Sequence, residues 1–392
     1  MTPLLKLQPG RDRRVKSGHP WAFSNEIVMD APTRAIAPGS PVRLEGDDGV
    51  KHGVWQFNPH SLIAARVLDR DPGATPDAGW FQTRIGAALA LRERLGIARF
   101  CRLVHAEADG LPGLIIDRFD DVVALQANTV GMEAATPLIV QALRALLNPR
   151  SILARNDSAV RTLEGLPLET TLLHGNEARA RVEEGGLVFE VDLLSGQKTG
   201  WFFDQRENRA RVAGIAKGAT LLDAFCHTGG FGLLAARAGA KEVTLLDRSQ
   251  PALELAMASA AANGLSPRVA AQRGEALETL ERMVGGQRRF DIVVADPPAF
   301  VKSRKDIPAA LRAYQRLARL CAQLVNPGGF LFIASCSHHA APLEFAAAVA
   351  EGVWKARRDA KLLASTGAGP DHPVHPLLPE SAYLKAQLLQ LG

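Results

Sequence analysis

Cysteine is scarce in this chain and follows no pattern. Cys101, Cys226, Cys321 and Cys336 are its four cysteines among 392 residues, and no two form a Cys-x-x-Cys pair. Disulfide frameworks and structural zinc sites are built from closely spaced cysteines. The spacing therefore argues against both kinds of site, and we expect no bound metal.

Long apolar runs and targeting segments are also absent. No apolar run reaches the roughly 20 residues of a membrane-spanning helix, and the first residues lack the charged-then-apolar pattern of a signal peptide. Neither low-complexity tracts nor internal repeats are present. We therefore expect a globular protein with no membrane partner and a cytoplasmic location.

Charge of one sign is only in mild excess. The chain has 46 Lys and Arg against 41 Asp and Glu, a formal net charge of +5. A basic balance favours an anionic partner such as nucleic acid. The basic side chains concentrate in two short segments, which contain Arg11, Arg13, Arg14 and Lys16 in one and Lys302, Arg304 and Lys305 in the other. Each cluster is either a phosphate contact or a solvated loop.

The length predicts several domains. Short apolar runs between Pro, Gly and Asp turns predict a small β domain over residues 1–73. Residues 74–185 read as an α+β unit with a hairpin that turns at Asp120-Asp121. From 186 to 392 strands alternate with helices, at about 232–238, 251–263 and 309–324, beginning with a strand at 187–193. Such alternation predicts a parallel sheet with helices on both faces.

The most informative segment is 221–234. An apolar strand runs into Asp223, then into a turn with Thr228, Gly229 and Gly230, and then into a helical run. This order is typical of the ligand edge of a parallel sheet. Asp247 ends the next strand, where a carboxylate either binds the ribose of a nucleoside cofactor or caps a helix. Nicotinamide, flavin and methyl-donor enzymes all use such a turn.

Two later strand ends carry further chemistry. Asp296-Pro297-Pro298 follows an apolar strand, and the prolines leave carbonyl groups free to face a substrate edge or simply form a rigid turn. Cys336 follows the apolar strand 330–334. A thiol at a strand end near a cation can act as a nucleophile, although most cysteines are inert core residues. Cys226 and Cys321 fit that inert class better.

These motifs together resemble a known family. The segment 197–206, the glycine turn, Asp247-Arg248-Ser249, Asp296-Pro297-Pro298 and Ser335-Cys336-Ser337 are similar to those of the S-adenosylmethionine-dependent 23S rRNA 5-methylcytosine methyltransferases of the large-subunit methyltransferase I type. The N-terminal runs 18–23 and 58–66 resemble that family's PUA domain. The resemblance spans nearly the whole chain. The chain departs from the family at several positions. It has Gln197 where the family often has His, His227 where Tyr is frequent, and Ala299 where Lys is frequent. After Ser337 it has His338 and His339 in place of small and apolar residues.

The resemblance implies a multidomain α/β protein. An N-terminal PUA β-barrel would bind RNA, a small α+β middle domain would follow, and a Rossmann-like class I methyltransferase domain with a mostly parallel sheet would bind S-adenosylmethionine. The implied partner is 23S rRNA or the assembling large ribosomal subunit, and a homodimer is compatible with it. Cys336 would add to C6 of cytosine, so that C5 could accept the methyl group, with Asp296 beside the cofactor or base and Phe300 as a cradle for the flipped base.

The resemblance also implies the residues that touch cofactor and RNA. The expected cofactor-binding residues are Lys198, Phe202, Asp204, Arg206, Asp223, Cys226, Thr228, Gly229, Gly230, Asp247, Arg248, Ser249, Glu275 and Asp296. The expected RNA-binding residues are Arg11, Arg13, Arg14, Lys16, Trp21, Lys302, Arg304 and Lys305. Two other functions stay open: an RNA N-methyltransferase acting on a purine, which needs no cysteine, and a non-catalytic RNA-binding assembly factor. A dehydrogenase is disfavoured because no proton-relay group accompanies the turn.

Overall fold

The computed structural model describes residues 2–194, 200–300, 304–338 and 340–392. Its backbone contacts group the chain into two compact units. The first comprises Met1–Ala180, Asp192–Phe203 and Pro370–Pro379, and the second comprises Arg181–Val191, Asp204–Gly369 and Glu380–Gly392. The division into three domains, with boundaries near 73 and 185, stays a prediction.

The first unit begins with a five-stranded sheet in the order β1-β3-β4-β5-β2. Its elements are β1 (Leu4–Lys6), α1 (Arg13–Lys16), β2 (Trp21–Ala22), α2 (Ala31–Arg34), β3 (Ser40–Glu45), β4 (Lys51–Phe57) and β5 (Ala65–Asp69). The side chains of β3 alternate between buried and exposed because one face of the strand covers a core. That core contains Val42, Leu44, Trp55 and Phe57, so the predicted small β domain is confirmed.

A second five-stranded sheet follows in the same unit, in the order β10-β9-β8-β7-β6. Its elements are α3 (Ala78–Arg94), β6 (Phe100–His105), β7 (Leu114–Phe119), β8 (Val122–Ala127), α4 (Val130–Ala134), α5 (Thr136–Leu147), β9 (Ser151–Asn156) and β10 (Glu169–His174). Phe119 pairs with Val122, which confirms the hairpin turn at Asp120-Asp121. Phe81 and Ile85 of α3 share a core with Ile139 of α5.

A separate two-stranded hairpin comes next in the chain. It consists of β11 (Arg179–Glu184) and β12 (Leu187–Asp192), joined by Gly185 and Gly186. Both glycines have positive φ, at 59° and 76°. The strand predicted at 187–193 is therefore present, but it pairs with β11 and does not enter the parallel sheet. The sequence interpretation was wrong on this point because β11, with its alternating charged residues, was not recognised as a partner.

The second unit is built on a seven-stranded sheet in the order β15-β14-β13-β16-β17-β19-β18. Its strands are β13 (Thr220–Ala224), β14 (Glu242–Asp247), β15 (Val269–Arg273), β16 (Phe290–Ala295), β17 (Val325–Ser335), β18 (Ala360–Thr366) and β19 (Lys385–Leu391). The first five are parallel, whereas β19 is antiparallel to both β17 and β18. The mostly parallel sheet is thus confirmed. The chain order reverses at β13, where such sheets bind ligands.

The helices of this unit are α6 (Arg206–Ala213), α7 (Gly230–Arg237), α8 (Gln250–Ala262), α9 (Ala276–Gly285), α10 (Ile307–Leu324) and α11 (Pro342–Lys355). In α10 the buried residues include Tyr314, Leu317, Ala318 and Cys321, which lie on one face of a 3.6-residue helix. This face packs between α9 and α11 and against the sheet. Across the described residues, no helix is at once long and apolar enough to cross a membrane.

Candidate active site

A tight turn follows β13 and leads into α7. Phe225, His227 and Gly229 all have positive φ, at 63°, 50° and 79°. The N–H of Cys226 donates to the carbonyl of Leu246 at 3.1 Å, and that of Gly229 donates to the carbonyl of Cys226 at 2.8 Å. Two non-glycine residues in left-handed conformations are strained, and such strain persists mainly where a site requires it.

Glycine at position 232 lets α7 lie close against the sheet. A Cβ there would meet Cδ2 of Leu245 at 2.4 Å, well inside van der Waals contact. The N–H of Gly232 donates to Oδ2 of Asp223 at 2.8 Å. The first turn of the helix is therefore fixed directly to a side chain near the end of β13.

Asp223 is an unusual carboxylate. It is only 1 % exposed, and no described group bonds to its Oδ1. Burial, with smaller contributions from the neighbouring carboxylates of Asp296 and Asp247, raises the pKa of Asp223 to about 8 against the opposing hydrogen bond from Gly232. A buried oxygen without a partner is costly unless a ligand completes its hydrogen bonding.

Asp247 ends β14 and braces the same turn. Its Oδ2 accepts the N–H of His227 at 2.9 Å, and its Oδ1 accepts the N–H of Ser249 at 2.8 Å. Ser249, whose hydroxyl accepts the N–H of Ala252, is the N-cap of α8. The alternative in which Asp247 itself caps the helix is therefore wrong, and its partly exposed carboxylate faces the edge of the sheet.

The end of β16 lies beside this turn. The N–H of Asp296 donates to the carbonyl of Ala224, the last residue of β13, at 3.4 Å. Asp296 is half-buried. The ring of Phe300, four residues further along, lies 4.8 Å from that of Tyr314 between centroids. The structure thus brings Asp223, Asp247 and Asp296 to one edge of the sheet.

Cys336 follows β17 at the same edge. It is partly exposed, whereas the other three cysteines are buried. The two flanking serines are fully buried and bond to one phenol: Ser335 Oγ lies 2.8 Å, and Ser337 Oγ 2.9 Å, from the hydroxyl oxygen of Tyr314. Nζ of Lys385 donates to the carbonyls of Ser337 and Ala340 at 2.6 and 2.7 Å. We call residues 335–338 together with Ala340 the cysteine loop.

Comparison with known proteins identifies the family. One family model, S-adenosylmethionine-dependent methyltransferase, matches residues 122–371, and a PUA-like domain model matches residues 5–70. "Ribosomal RNA large subunit methyltransferase I" of Aeromonas hydrophila is 37% identical over 402 residues, covering 100% of both chains. The protein of the same name from Shewanella denitrificans is 36% identical over 97% of both chains. The chain belongs to this methyltransferase family.

Solved structures agree on the fold of the methyltransferase. An S-adenosylmethionine-dependent methyltransferase from Streptococcus mutans superposes with a TM-score of 0.81 at 20% identity, covering 99% of this chain and all of that one. A methyltransferase complexed with SAH gives a TM-score of 0.82 at 19% identity over the whole of both chains. The expected architecture, a PUA-like domain followed by a Rossmann-like domain, is therefore confirmed.

The cofactor of the family is S-adenosylmethionine, and the edge described above suits it. The molecule carries a ribose with two hydroxyl donors and a positively charged sulfonium centre. Asp247 offers a partly exposed carboxylate at the position typical of ribose binding, and Asp223 offers a buried oxygen that lacks a partner. The other two acidic side chains at this edge, Asp247 and Asp296, also favour a cation.

The other expected cofactor residues occupy varied positions. Thr228 is buried in the turn, and Gly230 is buried where α7 begins. Arg248, just after β14, and Glu275, just before α9, are exposed. Burial, with smaller effects of Asp223 and Asp247, holds the pKa of the Cys226 thiol well above its ordinary value.

The segment before α6 contributes the remaining expected cofactor residues. Asp204 is buried and accepts the hydroxyl of Tyr383 at Oδ2. Arg206 is half-buried, with Nε 4.0 Å from Glu184. Phe202 is half-buried and belongs to the first unit. Lys198 lies outside the described residues.

Sequence reasoning assigned no role to three residues that surround the cysteine loop: Tyr314, Tyr383 and Lys385. Tyr314 and Tyr383 are the only tyrosines in the chain. The first bonds to both serines beside Cys336, and the second stacks near His338 with ring centroids 5.2 Å apart. For Lys385, the position between Leu384 and Ala386, at the start of an apolar strand, was the available signal that its charge is buried.

The predicted RNA-binding residues of the first unit fall into two groups. Arg11 and Arg13 are exposed. Arg14, Lys16 and Trp21 are each engaged. Arg14 pairs with Glu26 at 3.1 Å, Lys16 pairs with Asp12 and Asp48 at 2.5 and 2.7 Å, and Nε1 of Trp21 donates to Glu107 at 2.8 Å. The hydrogen bonds that Lys16 donates to Asp12 and Asp48 raise the pKa of its ammonium group.

Of the second basic cluster, the structure describes the side chain of Lys305, which lies just before α10. Lys305 is exposed there. Lys302 and the side chain of Arg304 lie outside the described residues. Arg11, Arg13 and Lys305 are therefore the expected RNA contacts whose side chains the structure places at the surface without an ion pair.

Proposed function

We propose that the protein methylates ribosomal RNA at C5 of a cytosine, with S-adenosylmethionine as donor and a covalent bond from Cys336 to C6. The observation that carries this proposal is the position of Cys336. It is the one partly exposed cysteine, and it follows a strand at the edge that also holds Asp223, Asp247 and Asp296. A structural cysteine would be buried like Cys101, Cys226 and Cys321.

The proposed chemistry explains why a thiol is needed. C5 of cytosine is a weak nucleophile. When the Cys336 thiolate forms a bond to C6, the electron pair of the C5–C6 double bond becomes available at C5, and C5 can attack an electrophilic methyl group. S-adenosylmethionine supplies that methyl group from its sulfonium centre. A base then takes the C5 proton, the double bond re-forms, and the C6–S bond breaks to return the thiolate.

The described residues can be assigned to steps around this reaction. Asp247 would accept the ribose hydroxyls, and Asp223 would complete its hydrogen bonding on the cofactor side. Asp296 lies between the ends of β13 and β17, where it can hold the base edge or the cofactor's methionine end. Phe300, stacked near Tyr314, is the nearest aromatic ring for a base taken out of its stack.

The family relatives named for the large ribosomal subunit support rRNA as the substrate. A PUA-like domain and exposed basic side chains suit a phosphate backbone, which basic residues bind without reading sequence. Either free 23S rRNA or the assembling large subunit would offer such a backbone. Arg11, Arg13 and Lys305 are the side chains best placed to contribute.

One experiment tests reaction and nucleophile together. The purified protein is incubated with S-adenosylmethionine labelled in its methyl group and unmodified 23S rRNA, and the RNA is digested to nucleosides. We expect labelled 5-methylcytidine. Cys336→Ala should abolish the label, whereas Cys321→Ala, which removes a fully buried thiol from the same unit, should retain it.

The alternatives give different results in the same assay. A labelled N-methylated purine, retained in Cys336→Ala, would replace the proposal with N-methylation supported by Asp296-Pro297-Pro298. No label at all, with no heat of cofactor binding in calorimetry, would favour a non-catalytic RNA-binding factor. Either result overturns the C5 assignment.

A further inference from the structure

Lys385 is a buried cation whose purpose the proposed reaction does not by itself explain. It begins β19, where it pairs with Ser335 of β17 in antiparallel register. Opposite residues of an antiparallel pair project to the same face, so the lysine extends alongside the cysteine loop. Its side chain is buried, with the residue only 7 % exposed.

The hydrogen bonds of Lys385 hold the cysteine loop. Its Nζ donates to the carbonyls of Ser337 and Ala340, at 2.6 and 2.7 Å. Ser337 immediately follows Cys336, and Ala340 lies three residues further along. Together with the Tyr314 hydroxyl, which bonds to Ser335 and Ser337, the lysine fixes the backbone that presents the thiol.

The charge of Lys385 is not balanced by a carboxylate. An ammonium group has three N–H donors, and two of them reach neutral carbonyls. Within the described ranges, no Asp or Glu lies in ion-pair contact with Nζ. Burial of an unpaired charge is costly, and burial accordingly lowers the pKa of Lys385, while Cys336 and Glu344 oppose that effect. The nearby thiolate of Cys336 is thus an anion that the buried ammonium can stabilise.

The other ionisable groups around the loop do not supply that positive charge. Asp296 from β16 and Glu344 from α11 are acidic. Glu344 is exposed and accepts the N–H of Ala341. Burial raises the pKa of Tyr314 on α10, which stays neutral, and the hydroxyl of Tyr383 donates a hydrogen bond to Asp204. His338, within the loop itself, is exposed. Lys385 is therefore the buried cation facing the thiol from these elements.

We propose that Lys385 is a positioning residue that holds the cysteine loop and stabilises the Cys336 thiolate. The proposal rests on the proposed function in that a thiolate is the form required to add to C6. The proposal concerns the thiol and not the whole methylation reaction. A cation near a thiol favours the ionised form and lowers the pH at which the thiol reacts.

The test measures the thiol directly, without RNA or cofactor. Alkylation of Cys336 by iodoacetamide is followed from pH 6 to 10, with the modified peptide identified by mass spectrometry. Lys385→Gln keeps N–H donors for the two carbonyls but removes the charge. We expect its alkylation curve to move to higher pH, with a rate about tenfold lower at pH 7, since one pKa unit is a factor of ten. Lys385→Arg should restore much of the rate.

The control is Lys361→Gln, which removes an exposed charge from the adjacent strand β18 and should leave the curve unchanged. Lys385→Met removes charge and hydrogen bonds together, and calorimetric binding of S-adenosylhomocysteine reports whether each variant is folded. If Lys385→Met does not fold, Lys385→Gln still decides the question. A folded Lys385→Gln with the wild-type alkylation curve overturns the proposal.

Activity adds a second readout. In Lys385→Gln we expect kcat to fall about tenfold at neutral pH with little change in KM for the cofactor, and the loss to shrink as pH rises and the thiol ionises unaided. A loss that is the same at every pH would indicate a purely structural role and would also overturn the proposal. Failure of the C5 reaction is seen separately, as label retained in Cys336→Ala.

Discussion

Two cysteines stand at the same edge of one sheet and have opposite surroundings. Cys226 follows β13, is buried, and has Asp223 and Asp247 near it, so burial and negative charge keep its thiol protonated. Cys336 follows β17, is partly exposed, and has the ammonium of Lys385 beside its loop. The contrast shows that position at a strand end does not make a nucleophile; the charge and solvation around the thiol do.

The largest effect is expected when the Cys336 thiol is removed. Cys336→Ala should lower the rate of rRNA methylation on the order of 10⁴-fold, because loss of a covalent nucleophile removes the whole assisted pathway. The measurement is incorporation of the labelled methyl group into rRNA, with Cys321→Ala as the matched control. Comparable rates in the two variants would mean that the reaction needs no thiol.

Direct labelling compares the two thiols in one molecule. In the native protein at pH 7.5, iodoacetamide should modify Cys336 on the order of a hundredfold faster than Cys226, because only an accessible, ionisable thiol reacts. Peptide mapping by mass spectrometry gives both rates from the same sample. Equal rates under native conditions would remove the basis of the comparison, whereas equal rates in urea are expected.

Asp223, the buried acidic residue near Cys226, predicts that stability depends on pH. The pKa of Asp223 is about 8 in the folded protein and about 4 in an unfolded chain. Between these values the unfolded chain has released a proton that the folded protein keeps, so this group's contribution to stability is present below pH 4 and is lost as pH rises towards 8. In Asp223→Asn this loss, a few kcal/mol at roughly 1.4 kcal/mol per pKa unit, should disappear.

Urea unfolding at pH 5 and pH 8 checks this prediction. The difference in unfolding free energy between the two pH values should be smaller in Asp223→Asn than in the native protein. Asp30→Asn is the control. Hydrogen bonds from Thr33 lower the pKa of Asp30, so its carboxylate is ionised at both pH values and the variant should shift both free energies equally. An unchanged difference in Asp223→Asn would show that Asp223 is ionised in the folded state.

The smallest expected effect concerns RNA binding by the first unit, where some basic side chains are paired with carboxylates and others are not. The double variant Arg11→Ala/Arg13→Ala should weaken RNA binding several-fold, and it should reduce the slope of log affinity against log salt by roughly 0.7 per lost phosphate contact. Lys16→Ala should change both less, because Asp12 and Asp48 already pair with that ammonium. Fluorescence anisotropy over a KCl series measures both quantities, and an equal effect of Lys16→Ala would contradict the prediction.

Much of the second unit could be predicted from local sequence. The apolar strand, Asp223 and the two glycines specify a strand, a turn and a helix through short-range geometry alone, and α7, α8 and α10 lie within two residues of their predicted bounds. The strand β15 and the antiparallel pair β18 and β19 were not predicted. The side chains of β15 and β18 are largely exposed, and those of β19 are buried on both faces, so none of the three shows clear alternation. They become strands because neighbouring strands offer hydrogen-bonding partners.

The candidate site divides in the same way. Local sequence is enough to show which residues lie at strand ends, because a strand and the turn after it are formed by consecutive residues: Asp223, Asp247, Asp296 and Cys336 were all identified in this way. The neighbours of these residues depend on how distant segments pack together. Tyr314 and Lys385 come from elements 22 and 49 residues away along the chain from Cys336, and burial, which sets the pKa of Asp223 and the cost of the Lys385 charge, depends on packing that no local pattern contains.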